Sequence, residues 1–350
     1  IPHLVTDYDV TVLAPDFPGD AADMPDIRVV RIPLMDWVVG DFPVPRIDMS
    51  VIHHEVKKAD IVWTQTLASV GGNALRSAAR HGVPALAYIH SIEWELVAKS
   101  LSRFNLLRKP SRFLVRQIAR HLYNRCTYLM VPSEEVQEVF RYNKIHTPSS
   151  VIHLGTDTGR FCPPEDKAAA KAQLGIRSEA TVIGFIGRLA REKDLLTLYR
   201  AFIRLQRDHK DIVLLVVGSG VPEFEEHLRS RPDVILAGAQ NNVVPYYQAM
   251  DIYVLPSLLE TTSLTTLEAM SCGVVPVCTP VGYIKRYIQE KRNGLLFPKQ
   301  NNLVLSLKLD WLIKEPAVRR KMGERARRTV ERDFDWNTTV EKIRECISRF

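Results

Sequence analysis

The chain has 350 residues, 46% of them hydrophobic, enough for two domains that each bury a core. Its formal net charge of +7 is modest for this length, and its five cysteines (Cys126, Cys162, Cys272, Cys278, Cys346) are scattered, odd in number and without Cys-x-x-Cys spacing. A disulfide framework, a structural zinc site and a bilayer-spanning run of roughly eighteen apolar residues are thereby excluded, so a reducing, cytoplasmic setting is expected, with membrane contact confined to the inner face.

In chain order, strand-like segments are expected at 8–14, 27–32, 60–66, 83–90, 128–131 and 150–154. Helical patterns fall at 46–58, 69–81, one long segment within 94–124, and 133–142. Alternation of this kind predicts a parallel sheet covered on both faces. Gly71-Gly72 reads as a turn, and His53-His54-Glu55 as helix surface, since it lacks His-Glu-x-x-His spacing. No signal peptide is recognised at Ile1-Pro-His-Leu-Val.

Between 97 and 125 stand eight basic residues (Lys99, Arg103, Arg108, Lys109, Arg112, Arg116, Arg120, Arg125) and no acid. Arg112, Arg116 and Arg120 recur every four residues, as do Leu114, Ile118 and Leu122, which defines a basic amphipathic helix. It reads either as a solvated helix over a core or as a surface for anionic lipid or a phosphorylated acceptor. No aromatic interleaving accompanies the charge, so nucleic acid is not an expected partner.

The segment 155–173, with Pro163-Pro164, reads as a domain junction, after which the alternation resumes. Strands are expected at 181–186, 212–217, 234–237, 252–255, 274–278 and 295–297, and helices from 303 onward, the last beginning near Asp335-Trp336-Asn337. The fold class is α/β, with two Rossmann-like domains. Their expected bounds are 1–155 and 156–334, followed by a final helix over 335–350.

Three polar clusters fall at predicted strand ends, where such sheets bind ligands. The first is His90. The second is Gly187-Arg188, followed by Lys193 ahead of a helix expected near Asp194; glycine there permits close backbone approach, and the two cations suit an anion. The third is 255–273: Glu260 in a loop, Ser263 as N-cap of a helix that carries Glu268, and Gly273 as its stop. Two cations and a bare helix N-terminus can neutralise a diphosphate without a metal, and flanking carboxylates can accept from sugar hydroxyls. Taken singly, Arg188 and Lys193 are more often surface charges, Glu260 and Glu268 more often helix-start charges, and a strand-end histidine more often structural. The three clusters are expected to converge on one cleft between the domains.

Together, Gly187-Arg-Leu-x-x-Glu-Lys193, Glu260-x7-Glu268-Ala-Met, Gly273-x-x-Pro276-Val and Gly294-Leu-Leu-Phe-Pro resemble glycosyltransferase family 4, the retaining nucleotide-sugar transferases of the GT-B fold. Val131-Pro-Ser133, Gly155-Thr-Asp157-x-x-Arg160-Phe161, Val217-Gly-Ser-Gly220 and Phe334-Asp-Trp336 extend the resemblance over nearly the whole chain. It implies two parallel sheets facing across a cleft, an acceptor-side first domain, a donor-side second domain and a final helix crossing back to the first. It further implies that Arg188 and Lys193 bind the donor diphosphate with backbone amides near Leu264 and Thr265, and that Glu268 holds the ribose. Glu260 and His90 would lie beside the transferred sugar.

The reaction so implied is hexosyl transfer from a nucleoside diphosphate sugar to a lipid or glycan acceptor at or near a membrane, with no cofactor or metal. Two features depart from the family. Thr261 stands where Gly or Pro usually follows the first glutamate, and the strand and glycine turn that open the first domain have no counterpart after Ile1, so a truncated chain is expected. A nucleotide-sugar epimerase on the same fold and a catalytically silent nucleotide-sugar binding subunit are the alternatives.

Overall fold

The structure, a computed structural model, describes residues 3–17, 27–39, 42–100, 105–220, 225, 231 and 233–350. The chain divides into two compact units, Ile1–His153 with Val340–Phe350, and Leu154–Thr339.

In the first unit, β1 (Thr11–Pro15) pairs in parallel with β2 (Arg28–Ile32), and β3 (Leu34–Val39) forms an antiparallel hairpin with β4 (Phe42–Pro45). After α1 (Met49–Lys58), the strands β5 (Val62–Thr64), β6 (Ala85–Tyr88), β7 (Tyr128–Val131) and β8 (Ser149–Val151) build a four-stranded parallel sheet in sequence order. The helices α2 (Ser69–His81), α3 (Glu93–Ser100), α4 (Asn105–Tyr123) and α5 (Glu134–Tyr142) connect them. Local signals explain the element ends. Asp48 caps α1 by accepting from Ser50 N, Gly82 closes α2 at a φ of 70°, and Ser133 caps α5.

Several sequence expectations need correction here. The β3–β4 hairpin was not anticipated; the long helix expected within 94–124 is α4, and the shorter α3 ahead of it was not anticipated. Gly71 and Gly72 lie inside α2 rather than in a turn; glycine serves close packing there, since a Cβ at Gly71 would sit 2.0 Å from the Thr66 carbonyl oxygen. Glu55 is buried and paired with Arg28 at 2.7 Å, so that stretch of α1 is not simply surface. On α4 the core-facing side is Ala119, Leu122 and Tyr123, whereas Leu114 and Ile118 are exposed. The expected basic residue Arg103 lies outside the described residues, and the side chains of Lys99 and Arg108 do also.

The second unit starts with α6 (Lys167–Ala172) and is organised on six parallel strands: β9 (Thr181–Ile186), β10 (Ile212–Val217), β11 (Val234–Gly238), β12 (Ile252–Leu255), β13 (Val275–Cys278) and β14 (Leu295–Leu296). Their spatial order is β11-β10-β9-β12-β13-β14. Between them run α7 (Leu195–Leu205), α8 (Val244–Ala249), α9 (Leu264–Ser271) and α10 (Ile284–Tyr287), and after them α11 (Asn302–Lys314) and α12 (Pro316–Asp333); the last helix, α13 (Trp336–Ile347), passes into the first unit, which holds the chain from Val340. The strands read as near-continuous apolar runs because both faces are covered; Phe185, Leu215, Tyr253 and Val277 are all fully buried. Gly184 is needed within β9, since a Cβ there would meet Met250 Sδ at 2.1 Å.

The chain builds outward from β9 through β10 to β11, then returns to lay β12 on the other side of β9, with Ile252 opposite Ile183. The order therefore reverses between β9 and β12. A crevice opens beyond the carboxyl ends of two strands at such a reversal, and that is where open α/β sheets hold ligands. Among the described residues, no helix is long and apolar enough to cross a membrane.

Candidate active site

The two segments leaving that reversal carry most of the expected residues. Beyond β9, Gly187 adopts a φ of 152° and Arg188 follows, exposed and paired with Glu192. The backbone here is tightly packed: a Cβ on Gly218 would lie 1.9 Å from the Gly187 carbonyl oxygen. A 3-10 turn over Arg191–Lys193 then ends at Asp194, which takes the left-handed conformation at a φ of 47°, so that α7 starts at Leu195. Asp194 tolerates this in part because its carboxylate accepts from the Thr197 hydroxyl at 2.6 Å.

Beyond β12, Leu258 N–H donates to Glu192 O at 2.7 Å, tying the loop that carries Glu260 to the turn that carries Lys193. The result is an ion pair: Lys193 Nζ lies 2.6 Å from Glu260 Oε1, with the two side chains only 20% and 12% exposed. Gly282 fixes the loop from the other side. Its φ is 52°, a Cβ there would stand 2.2 Å from Glu260 O, and Tyr283 N–H donates to Thr261 O at 2.9 Å.

Ser263 caps α9, accepting from Thr266 N–H at 3.3 Å. The preceding amides of Leu264 and Thr265 point out of the first turn, where a helix leaves its N–H groups without intrahelical acceptors. The Thr265 hydroxyl accepts from Tyr253 OH at 2.8 Å, which anchors the helix start to β12. One turn on, Glu268 Oε2 accepts from Tyr247 OH at 2.7 Å. Burial raises the Glu268 pKa above the ordinary carboxylate value, while the Tyr247 hydrogen bond and the Arg160 charge pull it back. Tyr247 was not singled out from the sequence; it lies 21 residues before Glu268, and no local pattern links the two.

Gly187, Arg188, Lys193, Glu260, Ser263, Leu264, Thr265 and Glu268 thus belong to one unit, in which the Lys193–Glu260 pair lies shortly before the Ser263-capped helix start and Arg188 is held by Glu192. His90 belongs to the other unit, just after β6. Its ring packs on Tyr88 with centroids 4.8 Å apart, and its Nε2 donates to Gln65 Oε1. The residue keeps an exposed edge, yet its partial withdrawal from water holds its pKa below the ordinary histidine value. Among the described residues no cluster of three or more His, Cys, Asp or Glu is arranged to hold a metal ion.

The family model described as Glycosyltransferase Family 4 matches residues 2–160, and that described as Glycosyl transferases group 1 matches residues 166–329. The chain is 26% identical over 268 residues to the alpha-monoglucosyldiacylglycerol synthase of Streptococcus pneumoniae, covering 73% of this chain and 60% of that one. It is 30% identical over 211 residues to the D-inositol 3-phosphate glycosyltransferase of Mycobacteroides abscessus, covering 57% and 46%. The chain therefore spans less than two thirds of the length of these relatives. Among solved structures, Anabaena HepE in complex with UDP and glucose superposes with a TM-score of 0.76 at 17% identity, over 93% of this chain and 87% of that one. That likeness establishes the GT-B fold, with its two Rossmann-like units. With its two halves matched in succession by the two models, the chain belongs to glycosyltransferase family 4.

Proposed function

We propose that the protein is a retaining glycosyltransferase that moves a hexosyl group from a nucleoside diphosphate sugar to a lipid or glycan acceptor at the cytoplasmic face of a membrane, without a bound metal. The observation that carries this reading is the meeting of Lys193, Glu260 and the Ser263-capped helix start at the β9–β12 reversal. A site of this kind stabilises charge that builds on a departing diphosphate, using groups already fixed in place. The solved relative with UDP and glucose bound supports a nucleotide-sugar donor.

Arg188, Lys193 and the amides of Leu264 and Thr265 hold the diphosphate. Glu268 accepts from the ribose hydroxyls, and Glu260 and His90 flank the sugar. The bond from the anomeric carbon to the diphosphate oxygen breaks while a bond to the acceptor oxygen forms on the same face. The departing phosphate takes the acceptor's proton, so no separate general base is required.

Two features support an acceptor at a membrane. One relative named above makes, by its name, a glucosylated diacylglycerol, which is a membrane lipid. On α4, Phe113 and Leu114 are 56% and 60% exposed beside Arg112 and Arg116. Apolar tips set among cations are what an anionic lipid surface receives.

The test is donor-dependent transfer to lipid extracts with UDP-, GDP- and ADP-sugars, the product anomer being assigned. Retention is expected, with activity lost in Glu260→Ala. An inverted product, or a fully active Glu260→Ala enzyme, would overturn the reading. Thermal shift against the three diphosphates identifies the base, because ligand at a hundred times its dissociation constant adds about 2.7 kcal/mol.

A further inference from the structure

Beside the His90 loop lies a buried carboxyl to which the reaction above gives no part. Glu93 is the first residue of α3, three positions after His90. Its Oε1 accepts a hydrogen bond from the hydroxyl of Tyr123, the last residue of α4. Among the described residues the other oxygen, Oε2, is buried with no hydrogen-bond partner.

The loop between β5 and α2 carries Gln65, the acceptor of the His90 hydrogen bond. Two tethers therefore hold the segment from His90 to Glu93, His90 to Gln65 and Glu93 to Tyr123. Tyr123 is a firm anchor for the second of them. It is fully buried, its ring stands 5.2 Å from that of Phe140, and its carbonyl accepts from the Thr147 hydroxyl at 2.6 Å.

A half-paired buried carboxyl is costly, because its unmet oxygen gives up the hydrogen bonds that water would supply. Burial also pushes the Glu93 pKa up to about 7. An apolar residue would pack at this place without that cost, so the group is best explained by what it holds. We propose that Glu93 is a positioning residue for His90: its carboxyl ties the start of α3 to Tyr123, and so holds the segment that carries His90 where its imidazole meets Gln65. The proposal rests on the reading of His90 as a group beside the transferred sugar.

Three substitutions separate this role from a general contribution to folding. Glu93→Ala removes the clamp, Glu93→Gln keeps an acceptor for the Tyr123 hydroxyl without the charge, and Tyr123→Phe keeps the ring packing and removes only the hydroxyl. The readouts are the His90 ring resonances and ring pKa by nitrogen-15 NMR, with kcat and donor KM measured in parallel.

Glu93→Ala is expected to shift the His90 resonances, to raise its pKa toward the ordinary value as water enters, and to lower kcat about tenfold or more while donor KM stays within about twofold. Glu93→Gln restores both readouts to near wild type, and Tyr123→Phe moves them in the direction of Glu93→Ala. Where Glu93→Ala does not fold, Tyr123→Phe carries the test. Unchanged His90 resonances in Glu93→Ala, or in Tyr123→Phe where that variant stands in, overturn the proposal, as does a Glu93→Gln protein as impaired as Glu93→Ala. A wild-type protein inactive with every donor sinks the functional reading instead, and the His90 resonances alone then decide the clamp.

Discussion

Lys193 and Glu260 are 67 residues apart in sequence and 2.6 Å apart in space, an ion pair whose side chains are mostly withdrawn from solvent. A diphosphate arriving there competes with the Glu260 carboxylate for the ammonium. Removing the competitor should therefore strengthen diphosphate binding, because an unpaired and poorly hydrated cation is left behind.

Glu260→Gln is accordingly expected to bind a nucleoside diphosphate more tightly than wild type while transfer falls. Lys193→Gln should bind it about ten- to a hundredfold more weakly, the loss of one charge-assisted hydrogen bond worth about 1.5–3 kcal/mol. Titration calorimetry with UDP, GDP and ADP measures both. Weaker binding by Glu260→Gln would end the competition account.

Glycine is required at two places around the site for reasons of space as well as angle. Gly218→Ala brings a Cβ to within 1.9 Å of Gly187 O at a φ of 133°, and Gly282→Ala does so to within 2.2 Å of Glu260 O at a φ of 52°. Each should cost about 1–3 kcal/mol or more, a Tm drop of several degrees. Gly175→Ala is the control, since its φ is also positive, at 68°, but nothing lies within 4 Å of the added carbon. Calorimetric melts of the three should rank Gly175→Ala as the mildest.

Tyr247→Phe tests Glu268 through pH. The Tyr247 hydrogen bond favours the ionised carboxyl, so its loss moves a pKa that burial has already raised further up. The carboxylate accepts from the ribose hydroxyls more strongly than the protonated acid, so the acid limb of nucleotide binding should shift to higher pH in the variant, with affinity well above that limb within about twofold of wild type. Stability follows the same sign. A folded-state pKa above the unfolded value of 4.5 stabilises below 4.5, and that contribution is lost as pH rises through the folded value, so the window of loss widens upward in Tyr247→Phe. Nucleotide affinity and Tm across a pH series report both effects, and an unmoved acid limb would remove Glu268 from donor binding.

On α4, Arg112 is already paired with Glu95, and Arg116 stacks over Phe113 with its guanidinium carbon 5.5 Å from the ring centroid. Replacing Arg112, Arg116 and Arg120 by Gln should weaken sedimentation with phosphatidylserine vesicles by about 1 kcal/mol per charge at most, with Arg112 contributing least. Raising salt should weaken wild-type binding in parallel. Equal binding by wild type and the triple variant across the salt series would remove the membrane role of this face.

Much of the second unit was legible because its strands are buried on both faces. Thr181–Ile186, Ile212–Val217 and Ile252–Leu255 occur at the bounds that their apolar runs suggest. Ser263 was readable as a cap because its hydroxyl acts within three residues. What escaped depends on distant partners. Tyr247 reaches Glu268, Glu93 meets Tyr123, and Arg28 buries Glu55, each through a fold that no local pattern encodes. The β3–β4 hairpin escaped for a different reason: Pro43 and Pro45 are poor strand formers, and a strand tolerates them only where their missing N–H is not needed. Leu114 and Ile118 share the four-residue spacing of Leu122, but α4 turns a neighbouring stripe, through Ala119 and Tyr123, to the core.

The placing of β12 beside β9 also bears on how the protein reaches its folded state. The β9–β12 register joins residues about seventy positions apart, whereas β9–β10 joins residues about thirty apart, and the longer closure bears the greater chain-entropy cost. The half of the site that carries Gly187, Arg188 and Lys193 can thus stand on its own sheet before Glu260 arrives. A refolding chain should regain its backbone signal first and its hold on a diphosphate last.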